Sequence, residues 1–252
     1  LLDGKVKLVC FPHCSNIVAE INPVAEIAAL AHDAGAAVCV DGVSYAPHGL
    51  PDVTALGADI YLFSAYKTYG PHQGVMVIRR ALGEALPNQG HYFNADTLYK
   101  RFTPAGPDHA QVAACAGMAD YADALYAHHV GGEAAPAARA KAVHDLMRAR
   151  EIGLVEPVLD YIAAKNSIRL LGPREAARRA PTIAMKLEQP GAEIAEKLAA
   201  FGIMTGGGSF YGNRCLAALG VDPAFGVLRA SLVHYTSEAE VAKLISALDA
   251  VL

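Results

Sequence analysis

A chain of 252 residues with 53% hydrophobic content can bury a substantial core, either as one large α/β domain or as one domain with a smaller companion. Its 21 basic and 25 acidic residues leave a net charge of −4 without a basic stripe, the densest stretch "GPREAARR" being broken by Glu175, so nucleic acid is not an expected partner. The five cysteines show neither C-x-x-C spacing nor a zinc-type His/Cys cluster and fit a reducing cytoplasm, and no apolar stretch reads as a membrane span or a targeting segment, since even "AQVAACAGMADYADALYA" carries Asp120 and Asp123.

In chain order, "KVKLVCF" predicts a first strand. "NPVAEIAALAHDAG" predicts a helix with Asn22 as cap, Pro23 in the first turn, Val24, Ile27, Ala28 and Ala31 on one face, and Gly35 as the stop. "AAVCV" is an apolar strand ending at Asp41, "DVTALG" a short helix closed by Gly57, and "DIYLF" and "GVMVI" are two further strands. Continuous apolar strands joined by helices indicate a three-layer, mostly parallel sheet covered on both faces. From about 108 to 165 the spacing predicts long alanine-rich packing helices. Beyond Asn166 come "SIRLLG", "TIAMKLE", a helix "GAEIAEKLAAFG", a glycine turn "TGGG", a strand "GVLRASLVHY" and a last helix "SEAEVAKLISALDAVL". That pattern predicts a smaller C-terminal α/β domain over 166–252, after a major domain over 1–165.

Chemistry is expected at strand ends, because open α/β sheets hold ligands outside the carboxyl ends of their strands. Asp41 closes one predicted strand, and Ser64 with Lys67, in "SAYKTYGPHQG", closes the next. A lysine among aromatic and apolar neighbours is expected to be partly desolvated, which favours the neutral amine, a nucleophile toward aldehydes. A neighbouring aspartate could pair with a cationic ring nitrogen, as pyridoxal phosphate chemistry requires. Taken alone, the same pair also reads as a turn aspartate and a surface lysine.

The wider stretch, "SNIVAEINPVAEIAALAHDAGAAVCVDGVSYAPHGLPDVTALGADIYLFSAYKTYGPHQGVMVIR", resembles the cofactor-lysine region of class V aminotransferases, fold-type I pyridoxal phosphate enzymes that include cysteine desulfurases. The shared order is S-N, I-N-P-x-x-E-I, H-x-x-G-A, D-G, P-H, D-V, G-A-D, S-x-x-K and Y-G-P. The likeness continues through "TPAGPDHAQVAA" to "GVLRASLVHYTSEAEV", similar to the family's R-x-S-x-x-x-Y strand, and so covers essentially the whole chain. It implies a pyridoxal phosphate enzyme acting on a small amino acid by transamination, elimination or desulfuration, expected to be a homodimer with no membrane or nucleic-acid partner. Lys67 would form a Schiff base and then move the Cα proton, Asp41 would keep the pyridine nitrogen protonated, and Ser64 would bond the phosphate. Asn16 would reach the ring hydroxyl or the substrate carboxylate, unless it is a plain loop residue, and Ser44 stands where the family often has His or Gln near that hydroxyl. Arg229 would clamp the substrate carboxylate. Tyr66 is a phosphate or substrate contact or a packing residue. His13, His48, His72 and His109 read as hydrogen-bonded scaffold, with no metal site among them, and His128–His129 as a solvated helix end.

Three differences from the family stand out. Roughly the first third of a typical member has no counterpart, so the chain is either a fragment or a minimal relative with weakened cofactor binding. A desulfurase carries a mobile cysteine before the arginine strand, where "TGGGSFYGNRCLAALG" offers Cys215, a possible nucleophile or an inert packing thiol. Gly106 stands where many relatives donate a threonine across the dimer. A truncated scaffold without cofactor is therefore the alternative to an enzyme.

Overall fold

The first strand, β1 (Leu8–Pro12), alternates exposed and half-buried residues, and helix α1 (Val24–Asp33) returns the chain to β2 (Ala37–Asp41) beside it. This computed structural model describes residues 2–103 and 105–252, which form two compact units: Leu1–His13 with Pro23–Val143, and Cys14–Asn22 with His144–Leu252. The first unit continues through β3 (Ile60–Ser64) and β4 (Gly74–Ile78) into a sheet of order β1-β2-β3-β4. The β1–β2 and β2–β3 pairs are parallel; β4 runs antiparallel to β3 because the Ala65–Gln73 connection is too short for a crossover.

Val24, Ala28 and Ala31 of α1 pack on Val38, Val40 and Tyr61, so one face of the sheet is buried. Pro23 stands at the N-cap of the helix, directly after Asn22, and the chain leaves the helix through Gly35, whose φ of 77° needs no Cβ. The expected cover on the second face is incomplete in this chain: Leu8 and Cys10 of β1 are exposed, Leu8 at 47%, and so is Met76 of β4, at 39%. "DVTALG" is a run of turns rather than a helix. Asp52 accepts from Thr54 and Ala55 N–H, but Pro51 and the left-handed Gly57 leave too few residues to propagate helical bonds. Helices α2 (Arg80–Ala85), α3 (Leu98–Phe102), α4 (His109–Ala114), α5 (Ala116–His129) and α6 (Pro136–Ala163) follow, and Asp108 caps α4 by accepting from Ala110 and Gln111 N–H.

The second unit holds β5 (Arg169–Leu171), β6 (Thr182–Lys186), α7 (Gly191–Ala199), β7 (Gly206–Gly208), α8 (Asn213–Ala218), β8 (Val227–Ser231) and α9 (Glu238–Val251). Its sheet, β5-β6-β8-β7, is antiparallel throughout. The α6 residues Leu154, Val155, Val158, Leu159 and Ile162 share a core with Ile183, Met185, Leu228, Leu244 and Leu248. Ser237 and Glu240 form a reciprocal capping box at the start of α9. The expected "TGGG" turn is instead edge strand β7. A Cβ on Gly207 would lie 2.2 Å from the backbone nitrogen of Ala192, so the missing side chain is what lets α7 lie against that strand.

Cys14–Asn22 closes on itself through the Cys14–Ile21 bridge and is stitched into this second unit by the Glu20–Arg179 bridge and by the Ala180 N–H donating to Ala19 O at 2.9 Å. Arg179, 1% exposed, donates to the carbonyls of Pro173, Leu171 and Thr182. Cys14, 2% exposed, donates its thiol to Ala19 O at 3.2 Å, and burial pushes that thiol up to about 11 from an ordinary 9.0. The sign of the linkage follows: the folded state keeps the proton after the unfolded chain has lost it. The stabilising contribution of Cys14 is therefore complete below pH 9 and is lost as the pH rises through about 11. Urea midpoints should fall over that window in the native chain and fall less in Cys14→Ala; identical slopes in the two proteins would refute the assignment.

Candidate functional site

The first group of residues lies at one end of the parallel strands in the first unit. Asp41 ends β2 and stands in register with Leu62 of β3, two residues before Ser64. Register partners and residues two apart share a sheet face, so Asp41, Leu62 and Ser64 point to the same side. The Asp41 side chain is exposed, and its Oδ1 accepts from Val43 N–H at 2.9 Å, while its backbone carbonyl accepts from His13 N–H at 2.8 Å. Gly42 N–H donates to Leu62 O at 2.7 Å, and a Cβ on Gly42 would fall 2.2 Å from the Tyr61 ring. Ser44 follows, half-buried, in the turn whose Tyr45 and Ala46 N–H groups donate to Gly42 O.

Beneath this turn the buried His13 ring stacks on Tyr45, with centroids 3.7 Å apart, and its Nδ1 lies 2.9 Å from the Tyr61 hydroxyl. That is the geometry of a scaffold histidine supporting the strand end. Gly42→Ala should therefore push the Tyr61 ring off His13, costing roughly 2–4 kcal/mol of stability and weakening whatever Asp41 holds. Denaturant unfolding checks it, and a loss below about 0.5 kcal/mol would mean that the ring yields freely.

Lys67 closes a 3₁₀ turn, Ala65–Lys67, directly after β3. The turn is fixed from several sides: Thr68 Oγ1 donates to Ser64 O at 3.0 Å, Ala65 N–H to Gln73 O at 2.8 Å, and the left-handed Tyr69 donates its hydroxyl to Pro47 O at 2.7 Å. A Cβ on Gly70 would lie 2.6 Å from the Met118 sulfur. The expected desolvation of Lys67 is not found in this chain. Its side chain is exposed, with Nζ 5.6 Å from the ring centroid of Tyr66, which is itself 48% exposed and stacked on the exposed His72. The turn projects past the last residue of β3, and its aromatic neighbours lie on the surface with it.

The second group lies in the second unit. Arg229 of β8 is half-buried, donates Nη1 to Asn16 O at 3.0 Å, and sits under the Phe210 ring, whose centroid is 3.8 Å from Cζ. Burial lowers the pKa of its guanidinium from the ordinary value. Asn16 is held by a turn in which Ser15 Oγ accepts from Ile17 and Val18 N–H, and its Nδ2 donates to Phe210 O at 3.0 Å. One of its two amide hydrogens is thus used within the chain. Cys215 lies in the first turn of α8, half-buried, its carbonyl accepting from Leu219 N–H at 3.1 Å. Gly106 is exposed with φ 68°. Phe210 was not singled out from the sequence; an aromatic between glycines, in "GGGSFYG", was the available signal.

Among the described residues no three His, Cys, Asp or Glu side chains are grouped to hold a metal ion, and no helix is long and apolar enough to cross a membrane. The carboxylate, hydroxyl and amine at one end of the first sheet are the donor set that the ring nitrogen, phosphate and aldehyde of pyridoxal phosphate call for.

Comparison with known proteins gives a consistent picture. The family model described as aminotransferase class-V matches residues 1–244. The aminotransferase-like protein FGM3 of Gibberella zeae is 34% identical over the full chain, which covers 61% of that protein, and a cysteine desulfurase of Cronobacter sakazakii is 30% identical over 98% of the chain and 59% of its own length. The crystal structure of the Escherichia coli cysteine desulfurase CsdA superposes with a TM-score of 0.79 at 23% identity, over 98% of this chain and 59% of that one, a likeness of fold. The chain thus spans about three fifths of the length of the relatives it matches.

Proposed function

Because the chain belongs to the aminotransferase class-V family, a family of pyridoxal phosphate enzymes, we propose that it supplies the lysine-bearing portion of an enzyme acting on a small amino acid. The observation that carries this reading is the register of β2 and β3, which brings Asp41 and the Ser64–Lys67 turn to neighbouring strand ends on one sheet. When bound, pyridoxal phosphate supplies an aldehyde and an electron-withdrawing ring. Lys67 would hold the cofactor through its side-chain amine and, once substrate has displaced it, would carry the proton at the substrate Cα. Asp41 would keep the proton on the ring nitrogen, Ser64 would donate to the phosphate, and Ser44 and Tyr66 would line the same end of the sheet. Arg229 binds the substrate carboxylate through its planar N–H pair.

Desulfuration is the finer alternative among the possible reactions, with Cys215 as the acceptor of sulfur; its place in a helix rather than a free loop speaks against that role. A homodimer in a reducing cytoplasm is the proposed setting, and cover for the exposed Lys67 then comes from outside these 252 residues. A second reading, a scaffold that binds no cofactor, draws on the exposure of both Asp41 and Lys67 and on the three-fifths span.

One experiment separates these readings. The chain is titrated with pyridoxal phosphate and its visible spectrum followed, then L-cysteine or another small amino acid is added and the products identified. A bound band that shifts with amino acid supports the enzyme, and alanine with sulfide marks desulfuration. No band at saturating cofactor leaves the scaffold.

A further inference from the structure

The Ser209–Gly212 loop is built around one aromatic ring. Phe210 and Tyr211 hold φ values of 49° and 63°, two consecutive non-glycine residues in the left-handed region. Such a pair persists only where the surroundings over-determine it. Here they do: Asn16 Nδ2 fixes Phe210 O, a Cβ on Gly206 would lie 2.9 Å from the Phe210 ring, and a Cβ on Gly212 would lie 2.7 Å from Ile17. The outcome is a closed triangle in which Arg229 donates to Asn16, Asn16 donates to Phe210, and the Phe210 ring covers the Arg229 guanidinium at 3.8 Å.

The guanidinium has five N–H donors, and among the described residues only the bond from Nη1 to Asn16 O uses one. A ring stacked on the flat face leaves the in-plane N–H edge open, the edge that takes a carboxylate with two parallel bonds. We propose that Phe210 is a positioning residue: it sets the plane of Arg229 and keeps water off one face, so that the open edge receives the carboxylate of a small amino acid, with Asn16 acting through this stack. The inference rests on the reading of Arg229 as the carboxylate clamp, and the experiment keeps the two apart.

Arg229 reactivity toward phenylglyoxal, followed by peptide mass spectrometry on the cofactor-free chain, reads the stack. The concentration of L-alanine that half-saturates the spectral change of the pyridoxal phosphate-loaded protein reads the clamp. Phe210→Leu should speed modification of Arg229 about fivefold and raise half-saturation about tenfold. Phe210→Tyr should restore both, and replacing the fully exposed Tyr211 by leucine should change neither. Phe210→Met, which keeps the bulk without a π face, should behave like the leucine variant and serves in its place if that variant unfolds. Unchanged modification and half-saturation in Phe210→Leu or Phe210→Met overturn the proposal, even where Arg229→Gln abolishes saturation. Unchanged saturation in Arg229→Gln instead overturns the clamp itself, while the phenylglyoxal rate still reports the stack.

Discussion

Lys67→Ala should reduce turnover by at least about a thousandfold and remove the visible band at saturating pyridoxal phosphate, while leaving the unfolding midpoint where it was. The size of the functional loss follows from the two roles proposed for this one amine, the covalent hold and the proton transfer; proton transfer alone is worth about 10²–10⁴. The silence in stability follows from its surroundings. The Lys67 side chain is exposed and the Tyr66 ring beside it is 48% exposed, so truncation opens no cavity. Lys67→Arg should be equally inactive, because a guanidinium stays charged and does not attack an aldehyde. A band that survives in Lys67→Ala would remove this lysine from the chemistry.

The largest loss of stability should come from Gly172→Ala, at roughly 3–5 kcal/mol. Gly172 has φ 88°, and a Cβ there would lie 1.9 Å from the Val18 carbonyl oxygen and 2.9 Å from its carbon. Both obstacles are backbone, so no rotamer change relieves them; the Cys14–Asn22 segment has to move. That segment carries Asn16, and Gly172 follows Leu171, whose carbonyl accepts from the buried Arg179. The variant should therefore also weaken the Asn16–Arg229 bond, read as a higher half-saturating concentration of amino acid. Gly35→Ala is the control: φ is 77° there too, but nothing lies within 4 Å of the added carbon, so the cost should be about 1 kcal/mol. Equal losses in the two variants would show that φ alone decides, and that the contact with Val18 is soft.

Much of this fold was legible because its signals are local. The apolar runs at "AAVCV", "DIYLF" and "GVMVI" became strands β2, β3 and β4, and the spacing of Val24, Ala28 and Ala31 gave the face of α1 that packs on them. What failed depended on partners distant in sequence. Three glycines carry no pattern of their own, and "TGGG" became a strand only because α7 packs against it closely enough to exclude a Cβ at Gly207. The dryness expected of Lys67 was a statement about what covers it, and "SAYKTYG" cannot say what that is. At the candidate site the strand-end placement of Asp41 and Lys67 was readable from the order of the elements. The stack of Phe210 on Arg229 was not, since it requires two left-handed residues and a bond from Asn16, nearly two hundred positions away.

The antiparallel return of β4 has a mechanical consequence for the amine. Ser64 is laddered to Gly74 and Ala65 to Gln73, so the loop bearing Lys67 is anchored at both feet. Backbone travel is closed off by those anchors, and the nitrogen can visit only what its own four methylenes can sweep from a stationary pivot.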